Sequence, residues 1–389
     1  MTPPKSIGFP RMEFEKGEKR VFLPDFIQYI AGLGAHVVIE EGYGSRSGFD
    51  RADYRQGNNR ISFGSREDAF SQDLVLILRS PDKDFYRMKP GTILMSMLHY
   101  HTRPNRIKLF KELGLKTISL DSIVDQNDVR LVENMKAVAW NGLEVAFELL
   151  EERWPDLIRP DGQPIQTLLL GSGMVGKHAV DAAVHLGNIE RNNQHLEKGG
   201  PGAVCCAVGR NLTYHRDEMI DLLKGIDILI DATQRRNPSE PVIPNELIQY
   251  MPPHAILLDL SVDPYLPDAH PPVVRGIEGI PRGNLDKYVY YPEDPDWEDT
   301  VAVGVPSTHR RTAVSCYSWP GFHPAACMLH YAQQLHPLMP VLFEKGYDGL
   351  SLDGGYFEQA LYRATLKGLE QHVTDEIDWM GDMEIIHKE

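Results

Sequence analysis

Three glycines stand at the spacing of a dinucleotide-binding turn. Gly171, Gly173 and Gly176 form the pattern G-x-G-x-x-G, between the apolar run Thr167-Leu-Leu-Leu170 and a segment whose apolar residues have helical spacing. In such a turn the first glycine permits the bend, the second lets a pyrophosphate approach the backbone, and the third lets helix and strand pack closely. Because strand and helix flank the glycines correctly, the pattern predicts a dinucleotide site, with a purely structural turn as the alternative.

The helix that begins after these glycines is suited to an anion, and this places Met174 and Val175 in the predicted coenzyme site. At the tip of the next predicted strand, 203–208, an NAD enzyme normally has an acid that binds the ribose hydroxyls. This chain has Gly209-Arg210-Asn211 there instead. Arg210 can meet a 2′-phosphate and therefore favours NADP over NAD, with an ordinary turn as the alternative.

His99 and Arg20 have side chains that could act on a small acid. His99 ends the apolar run 92–98, and its ordinary pKa of about 6.5 suits proton transfer at neutral pH. A structural histidine is the alternative. His101 would share its face by strand alternation, but no third metal ligand is nearby, so no metal is predicted. The planar fork of Arg20 suits a carboxylate, but from the spacing alone its run of charges favours a solvated arginine.

Composition limits the class of protein. The chain of 389 residues is long enough for two domains, and its net charge of -15 argues against a nucleic-acid or anionic-membrane partner. The four cysteines form no C-x-x-C pair and are interpreted as free thiols in a reducing compartment. With no apolar stretch long enough to span a bilayer and no signal-peptide pattern, we expect a cytoplasmic protein without membrane contact.

Strands and helices alternate along most of the chain, which predicts an α/β fold with parallel strands. Strands are predicted at 6–10, 35–39, 73–78, 92–98, 116–120, 167–170, 203–208, 226–230 and 255–260. Helices are predicted at 24–33, 106–113, 129–154, 177–186, 217–223, 246–250, 323–343 and 357–372. The polar stretch 43–65 is interpreted as a surface insertion and 187–202 as a loop.

Several segments resemble, in this order, the alanine dehydrogenase and pyridine nucleotide transhydrogenase family. The matching segments are Ile7-Gly-Phe-Pro10, Arg20-Val21, 73–81, 93–99, 171–176 and Leu258-Asp-Leu-Ser-Val-Asp263. The resemblance implies two Rossmann-like domains, with a coenzyme domain (129–317) inserted into a discontinuous substrate domain (1–128 and 318–389). Saccharopine dehydrogenase of the lysine-forming kind is similar too, because its coenzyme domain is shortened after the glycine turn, as it is here.

The resemblance also implies roles for single residues. Arg20 matches the family's carboxylate-binding arginine and His99 its catalytic histidine. Asp263, next to Ser261 in the coenzyme site, matches an aspartate near the nicotinamide with a catalytic role, although Asp-Pro also begins turns.

Two positions depart from the family. Arg79 replaces a lysine; it can bind a carboxylate or polarise a carbonyl group, but it does not give up a proton at neutral pH. Trp319 stands near the family's asparagine-methionine-proline and would narrow the substrate pocket or stack there.

The resemblance implies an NAD(P)-dependent oxidoreductase that acts on the C–N bond of an amino acid, by oxidative deamination or reductive amination. The partner would be a small amino-acid or keto-acid substrate. Since Arg20 and Arg79 would fit two carboxylates, a saccharopine- or opine-type dehydrogenase acting on a secondary amine is an alternative. A non-catalytic nucleotide-binding protein is another, and the replacement of the lysine supports it. The architecture is compatible with a homo-oligomer.

Overall fold

The computed structural model describes residues 3–12, 16–100, 103–235, 237–262, 265–266 and 272–371. The chain divides into two compact units. The first contains the described residues of Met1–Phe14, Glu18–Glu133 and Pro324–Glu389, and the second those of Glu15–Gly17 and Asn134–His323. Each unit is built on one six-stranded, mostly parallel sheet with helices between the strands. The predicted α/β class with two Rossmann-like domains is confirmed.

The first unit begins with six parallel strands in the order β3-β2-β1-β4-β5-β6. The elements in chain order are β1 (Ser6–Phe9), α1 (Pro24–Gly32), β2 (His36–Glu40), α2 (Arg51–Arg55), β3 (Ile61–Gly64), α3 (Arg66–Phe70), β4 (Leu74–Arg79), β5 (Ile93–Met97), α4 (Pro104–Glu112) and β6 (Lys116–Ser119). Central strands such as β4 are continuous apolar runs because helices cover both faces of the sheet. This strand order is that of a doubly wound sheet, whose ligands bind beyond the carboxyl ends of the strands.

The second unit has the sheet order β11-β12-β10-β9-β7-β8, in which only the β11–β12 pair is antiparallel. Its elements are α5 (Met135–Arg153), β7 (Ile165–Leu170), α6 (Met174–Val184), α7 (Ile189–Glu197), β8 (Ala203–Val208), α8 (Arg210–Thr213), α9 (Arg216–Leu223), β9 (Ile228–Asp231), β10 (Ile256–Asp259), β11 (Val289–Tyr290) and β12 (Thr312–Ser315). Two apolar clusters cover the two faces of this sheet. Strand β8 forms one edge of it.

Three more helices complete the first unit: α10 (Pro324–Leu335), α11 (Leu338–Lys345) and α12 (Tyr356–Arg363). Their apolar residues, such as Met328 and Leu361, pack in the same core cluster as Ile7 of β1. The predicted single helix 323–343 is wrong. Pro337 interrupts it, because proline has no N–H to donate and disfavours helical geometry in the preceding residue.

Two segments predicted to lack regular structure contain it. The stretch 43–65 holds α2, whose Asp50 forms a capping box, and the strand β3, which pairs with β2. The stretch 187–202 holds α7, whose first turn is capped by the side chain of Asn188. Both were hidden by polar composition, because β3 is an edge strand and α7 presents many charged and amide side chains to solvent.

Two predicted boundaries also move. The long helix begins at Met135 rather than at 129, because Arg130 still pairs with Val124 in an isolated bridge. Strand β5 ends at Met97, so His99 lies beyond it in a left-handed conformation with φ 53°, and strand alternation does not apply to it. Among the described residues, no helix is both long and apolar enough to cross a membrane.

Gly8 in β1 offers a test of packing in the first unit. A Cβ atom there would overlap the carbonyl oxygen of Ala69 in α3. We expect Gly8→Ala to lower the free energy of unfolding by about 1–3 kcal/mol or more, since neither backbone can move without disturbing the sheet. Gly32→Ala is the control: its Cβ meets nothing within 4 Å, and alanine in a helix gains about 0.5–1 kcal/mol. Urea unfolding of both variants measures the difference; equal stabilities would contradict this packing.

Candidate active site and coenzyme site

His99 is held by a buried aspartate at the carboxyl end of the neighbouring strand. Its Nδ1 lies 3.2 Å from Asp121 Oδ2, and its backbone N–H donates to Asp121 Oδ1 at 3.2 Å. The side chain of His99 is half exposed, whereas Asp121 is buried. The carboxylate thus fixes both the backbone and the ring of His99, which is the geometry of an oriented acid–base group.

Asp121 is ionised in this arrangement. Burial acts to raise the pKa of Asp121, but hydrogen bonds from His99 and Ser119 and the charge of His99 hold it well below its usual range. The Ser119 hydroxyl donates to Oδ1 at 2.7 Å and accepts from the backbone N–H of Leu98 at 3.1 Å. Sequence reasoning missed Asp121. The available signal was its position after predicted strand 116–120, because neighbouring parallel strands end at the same sheet edge.

Arg20 is buried and paired. Its Nε lies 2.9 Å from Glu18 Oε1 and its Nη2 lies 2.5 Å from Oε2, so the contact is bidentate. With 4% of its surface exposed, Arg20 is not the solvated arginine that was the alternative. Burial acts to raise the pKa of Glu18, but the hydrogen bonds and charge of Arg20, together with the charge of Arg79, lower it below its usual value. Arg79, the last residue of β4, thus lies close to this ion pair.

Tyr331 of α10 lies within electrostatic range of both Asp121 and Arg20. Burial raises the pKa of Tyr331 well above its usual value; the charge of Asp121 acts in the same direction and that of Arg20 against it. The pKa of Tyr331 therefore responds to one member of the histidine–aspartate pair and to one member of the arginine–glutamate pair. His101 lies outside the described residues. Among the residues that are described, no group of three His, Cys, Asp or Glu side chains is arranged to hold a metal ion.

The three glycines of the second unit have different surroundings. Gly171 has φ 91°, and a Cβ there would come within 2.9 Å of the carbonyl oxygen of Ala232. A Cβ on Gly176 would overlap the carbonyl oxygen of Gly171. Gly173, the N-cap of α6, has nothing within 4 Å of the corresponding position. The first and third glycines are therefore required by the turn itself, whereas the second opens onto space in front of the helix start.

Met174 and Val175 form the first turn of α6, where backbone N–H groups lack helical partners. At the end of β8, Arg210 is exposed, and its guanidinium donates to the backbone oxygen of Gln234 at 3.3 Å. A 2′-phosphate would have to approach this guanidinium from solvent. These positions fit a dinucleotide, since the helix start and an exposed cation are both suited to phosphate.

The loop after β10 is organised by Asp259. Its Oδ1 accepts hydrogen bonds from the backbone N–H groups of Ser261 and Val262, both at 3.0 Å. The Ser261 hydroxyl lies within hydrogen-bonding distance of Asp259 and of Asp231, the last residue of β9. Val262 is held at φ 59°, a conformation that valine rarely adopts. Asp263, predicted to act at the nicotinamide, lies outside the described residues.

Trp319 corrects a prediction. It is completely buried in the core of the second unit, where its indole N–H donates to the backbone oxygen of Asp259 at 2.7 Å. Asn141 of α5 donates to the backbone oxygen of Trp319 at 2.9 Å. A side chain with no exposed surface cannot contact a substrate, so Trp319 supports the β10 loop instead. The sequence match located the position in the chain but not the direction of the side chain.

Residues 10–139 match the family model described as alanine dehydrogenase/PNT, N-terminal domain. The predicted resemblance is confirmed.

Alanine dehydrogenase of Bacillus subtilis is 23% identical over 274 residues, which are 66% of this chain and 70% of that protein. NAD(P) transhydrogenase subunit alpha of Haemophilus influenzae is 22% identical over 286 residues, which are 66% of this chain and 55% of that protein. A solved structure of L-alanine dehydrogenase superposes with a TM-score of 0.66 at 20% identity, covering 92% of this chain and 94% of the other. At this identity the superposition establishes a shared fold.

Substitution of Gly173 can distinguish a role in coenzyme binding from a role in stability. We expect Gly173→Val to weaken NADH and NADPH binding at least roughly tenfold, because the side chain blocks approach of the pyrophosphate to the backbone. Its unfolding free energy should fall by no more than about 1–2 kcal/mol, the usual cost of losing an N-cap. Fluorescence titration and urea unfolding measure the two effects. Gly176→Ala is the contrasting variant, expected to lose stability; undiminished coenzyme affinity in Gly173→Val would remove the assignment.

Proposed function

We propose that this chain is an NAD(P)-dependent oxidoreductase that acts on the C–N bond of an amino acid, by oxidative deamination or reductive amination. Its similarity to alanine dehydrogenase and to NAD(P) transhydrogenase subunit alpha supports an NAD(P) oxidoreductase and implies NAD or NADP as the coenzyme. The observation that carries the amino-acid reaction is the His99–Asp121 pair, in the same unit as the charges of Glu18, Arg20 and Arg79.

The coenzyme is assigned to the second unit, within the proposed coenzyme domain 129–317. The backbone N–H groups at the start of α6 and the open space at Gly173 suit its pyrophosphate. Ser261 and Asp263, after β10, are proposed to stand beside its nicotinamide. Exposed Arg210, without an acidic neighbour in 209–211, favours NADP. When bound, the nicotinamide supplies the two-electron acceptor or donor for the substrate's Cα.

Proton transfer is assigned to His99. Because ionised Asp121 faces Nδ1, the neutral ring carries its proton there and exchanges protons with the substrate at Nε2. Oxidation at Cα converts the amine into an imine with loss of two electrons and two protons. Water then adds to the imine carbon as His99 takes one of its protons. His99 returns this proton to the nitrogen, the proton of the new hydroxyl group also passes to the nitrogen, and ammonia leaves as the keto acid forms.

The substrate carboxylate is assigned to Arg20 and Arg79 together. Arg20 forms a bidentate contact with Glu18, and the charge of Arg79 acts on the same glutamate, so both guanidinium groups belong to one charged cluster. Arginine is suited to this role because its planar fork binds a carboxylate through two hydrogen bonds. It does not supply the proton chemistry of the family's lysine, which places that work on His99.

The direct test is an absorbance screen of amino acids, and of keto acids with ammonia, using NADPH and NADH. On the substrate found, His99→Gln should lower kcat roughly a hundredfold or more and leave the coenzyme dissociation constant unchanged, because a general acid–base group is lost. Asp121→Asn should also lower kcat, since an amide no longer favours the required tautomer.

His254→Gln is the matched control. His254 also faces a buried aspartate, Asp227, with 2.8 Å between Nε2 and Oδ1. This pair lies in the second unit, just before strands β9 and β10, and therefore at the amino ends of those strands, where α/β folds do not bind their ligands. We expect reduced stability and unchanged kcat. Normal turnover in His99→Gln would end its catalytic assignment.

The replacement of lysine by Arg79 favours a second candidate, a saccharopine- or opine-type reaction at a secondary amine between two carboxylic acids. Two guanidinium groups in one cluster would then face two carboxylates. Its substrates differ from those of the first proposal only in the group attached to nitrogen, so the same coenzyme assay can be used with pairs of amino acids and keto acids.

Arg79→Lys separates the two candidates. For a simple amino-acid dehydrogenase we expect kcat to be kept or raised, because lysine retains the charge and can also exchange a proton. For the two-carboxylate reaction we expect KM to rise at least roughly tenfold, because the bidentate contact is lost. The measurement is steady-state kinetics, with Arg87→Lys, a more exposed arginine of the same unit, as the control. No change in either constant would place Arg79 outside the site.

A further inference from the structure

Strand β8 is an edge strand without the usual protection. It pairs with β7 on one side, and among the described residues no strand pairs with its other side. Its sequence is Ala203-Val-Cys-Cys-Ala-Val208, six residues without a charge or a proline. Val204, Cys206 and Ala207 are exposed. In proteins such an edge is normally shortened, charged, bulged or covered, because its unpaired N–H and C=O groups invite another strand.

The other three edges of the two sheets that the structure describes have such protection. Strand β11 is only two residues long. Strand β6 is covered through a bridge between Ile118 and Thr365. Strand β3 has four residues and directly follows Arg60. Compared with these three edge strands, β8 alone combines six residues, the absence of charged side chains and an exposed outer surface.

We propose that β8 is a homodimer interface, at which two copies pair their β8 strands antiparallel about a two-fold axis and join their sheets into one. The backbone groups of a free edge are complementary to an antiparallel copy of themselves. A two-fold contact also brings like residues together, so a charged strand would repel its copy, whereas neutral β8 does not. Two-fold symmetric dimers, whose interfaces use the same surface of both copies, are the commonest oligomers. The occupant of the edge is therefore a second copy of this chain.

The symmetry predicts the register. In a two-fold antiparallel pair that keeps both sheets facing the same way, one residue must lie opposite its own copy. We assign this position to Cys206, which is exposed, because Cys205 is partly buried. Val204 then faces Val208 of the other copy. Opposed Cα atoms are roughly 4.5–5.5 Å apart in such pairs, within the roughly 4.4–6.8 Å range that a disulfide spans.

The first experiment is sedimentation velocity of the full chain. We expect a dimer for the wild type, and for Val204→Lys a rise of at least tenfold in the dimer dissociation constant, because the lysines would be buried at a neutral interface. Val303→Lys is the matched control, since Val303 is a fully exposed valine of the same unit outside β8. It should leave the dimer unchanged. Thermal unfolding and coenzyme titration of each variant verify that the fold persists.

The second experiment tests the register. Copper(II)–phenanthroline, which removes two electrons from a thiol pair as two protons leave, should give a covalent dimer on a non-reducing gel. Cys206→Ser should abolish this product and Cys205→Ser should keep it. A wild-type monomer, a dimer insensitive to Val204→Lys, or a cross-link that survives Cys206→Ser would overturn the proposal. A monomer in which Cys206 resists alkylation would also overturn it, by showing that another part of the chain covers β8.

Discussion

A buried carboxylate at the end of a parallel strand holds a left-handed residue in each unit. In the first, Asp121 follows β6 and bonds the backbone of His99 at φ 53°. In the second, Asp259 ends β10 and bonds the backbone of Val262 at φ 59°. Such backbone geometry costs of order 1–3 kcal/mol, so it persists only where the surroundings enforce it. Both carboxylates lie at the sheet edge where α/β folds bind ligands.

These carboxylates are stable inside the protein because each is paired. Burying a charge without a partner lowers the stability of the folded protein by roughly several kcal/mol, even after the surroundings relax. The pairs are Asp121 with His99, Asp259 with Arg275, and Glu18 with Arg20. The charges around the strand ends are therefore fixed before any ligand binds, and this preorganisation lets a site act on developing charge without rearranging. The same pairing fixes the direction of the Arg20 guanidinium before a substrate arrives.

What the sequence could predict follows from how each element is buried. Strands β4 and β7 were predictable because cover on both faces produces a continuous apolar run. Helix α7 was not, because its solvent-facing residues dominate its composition. The partner of His99 required knowledge of which strands are neighbours, since β5 and β6 bring His99 and Asp121 together. The burial of Trp319 depends on the direction of one side chain, which a position in an aligned segment does not determine.

The glycine turn shows why a motif and its function have to be argued separately. Gly171 has a left-handed backbone and a Cβ there would meet the carbonyl oxygen of Ala232, while a Cβ on Gly176 would overlap the carbonyl oxygen of Gly171. Any protein with this strand–turn–helix unit would keep these two glycines, whether or not it bound a dinucleotide. Gly173 differs, because the local packing leaves room for a side chain there. Of the three glycines, only the second has open space where a Cβ atom would stand, and it is therefore the one that supports a ligand at the start of α6.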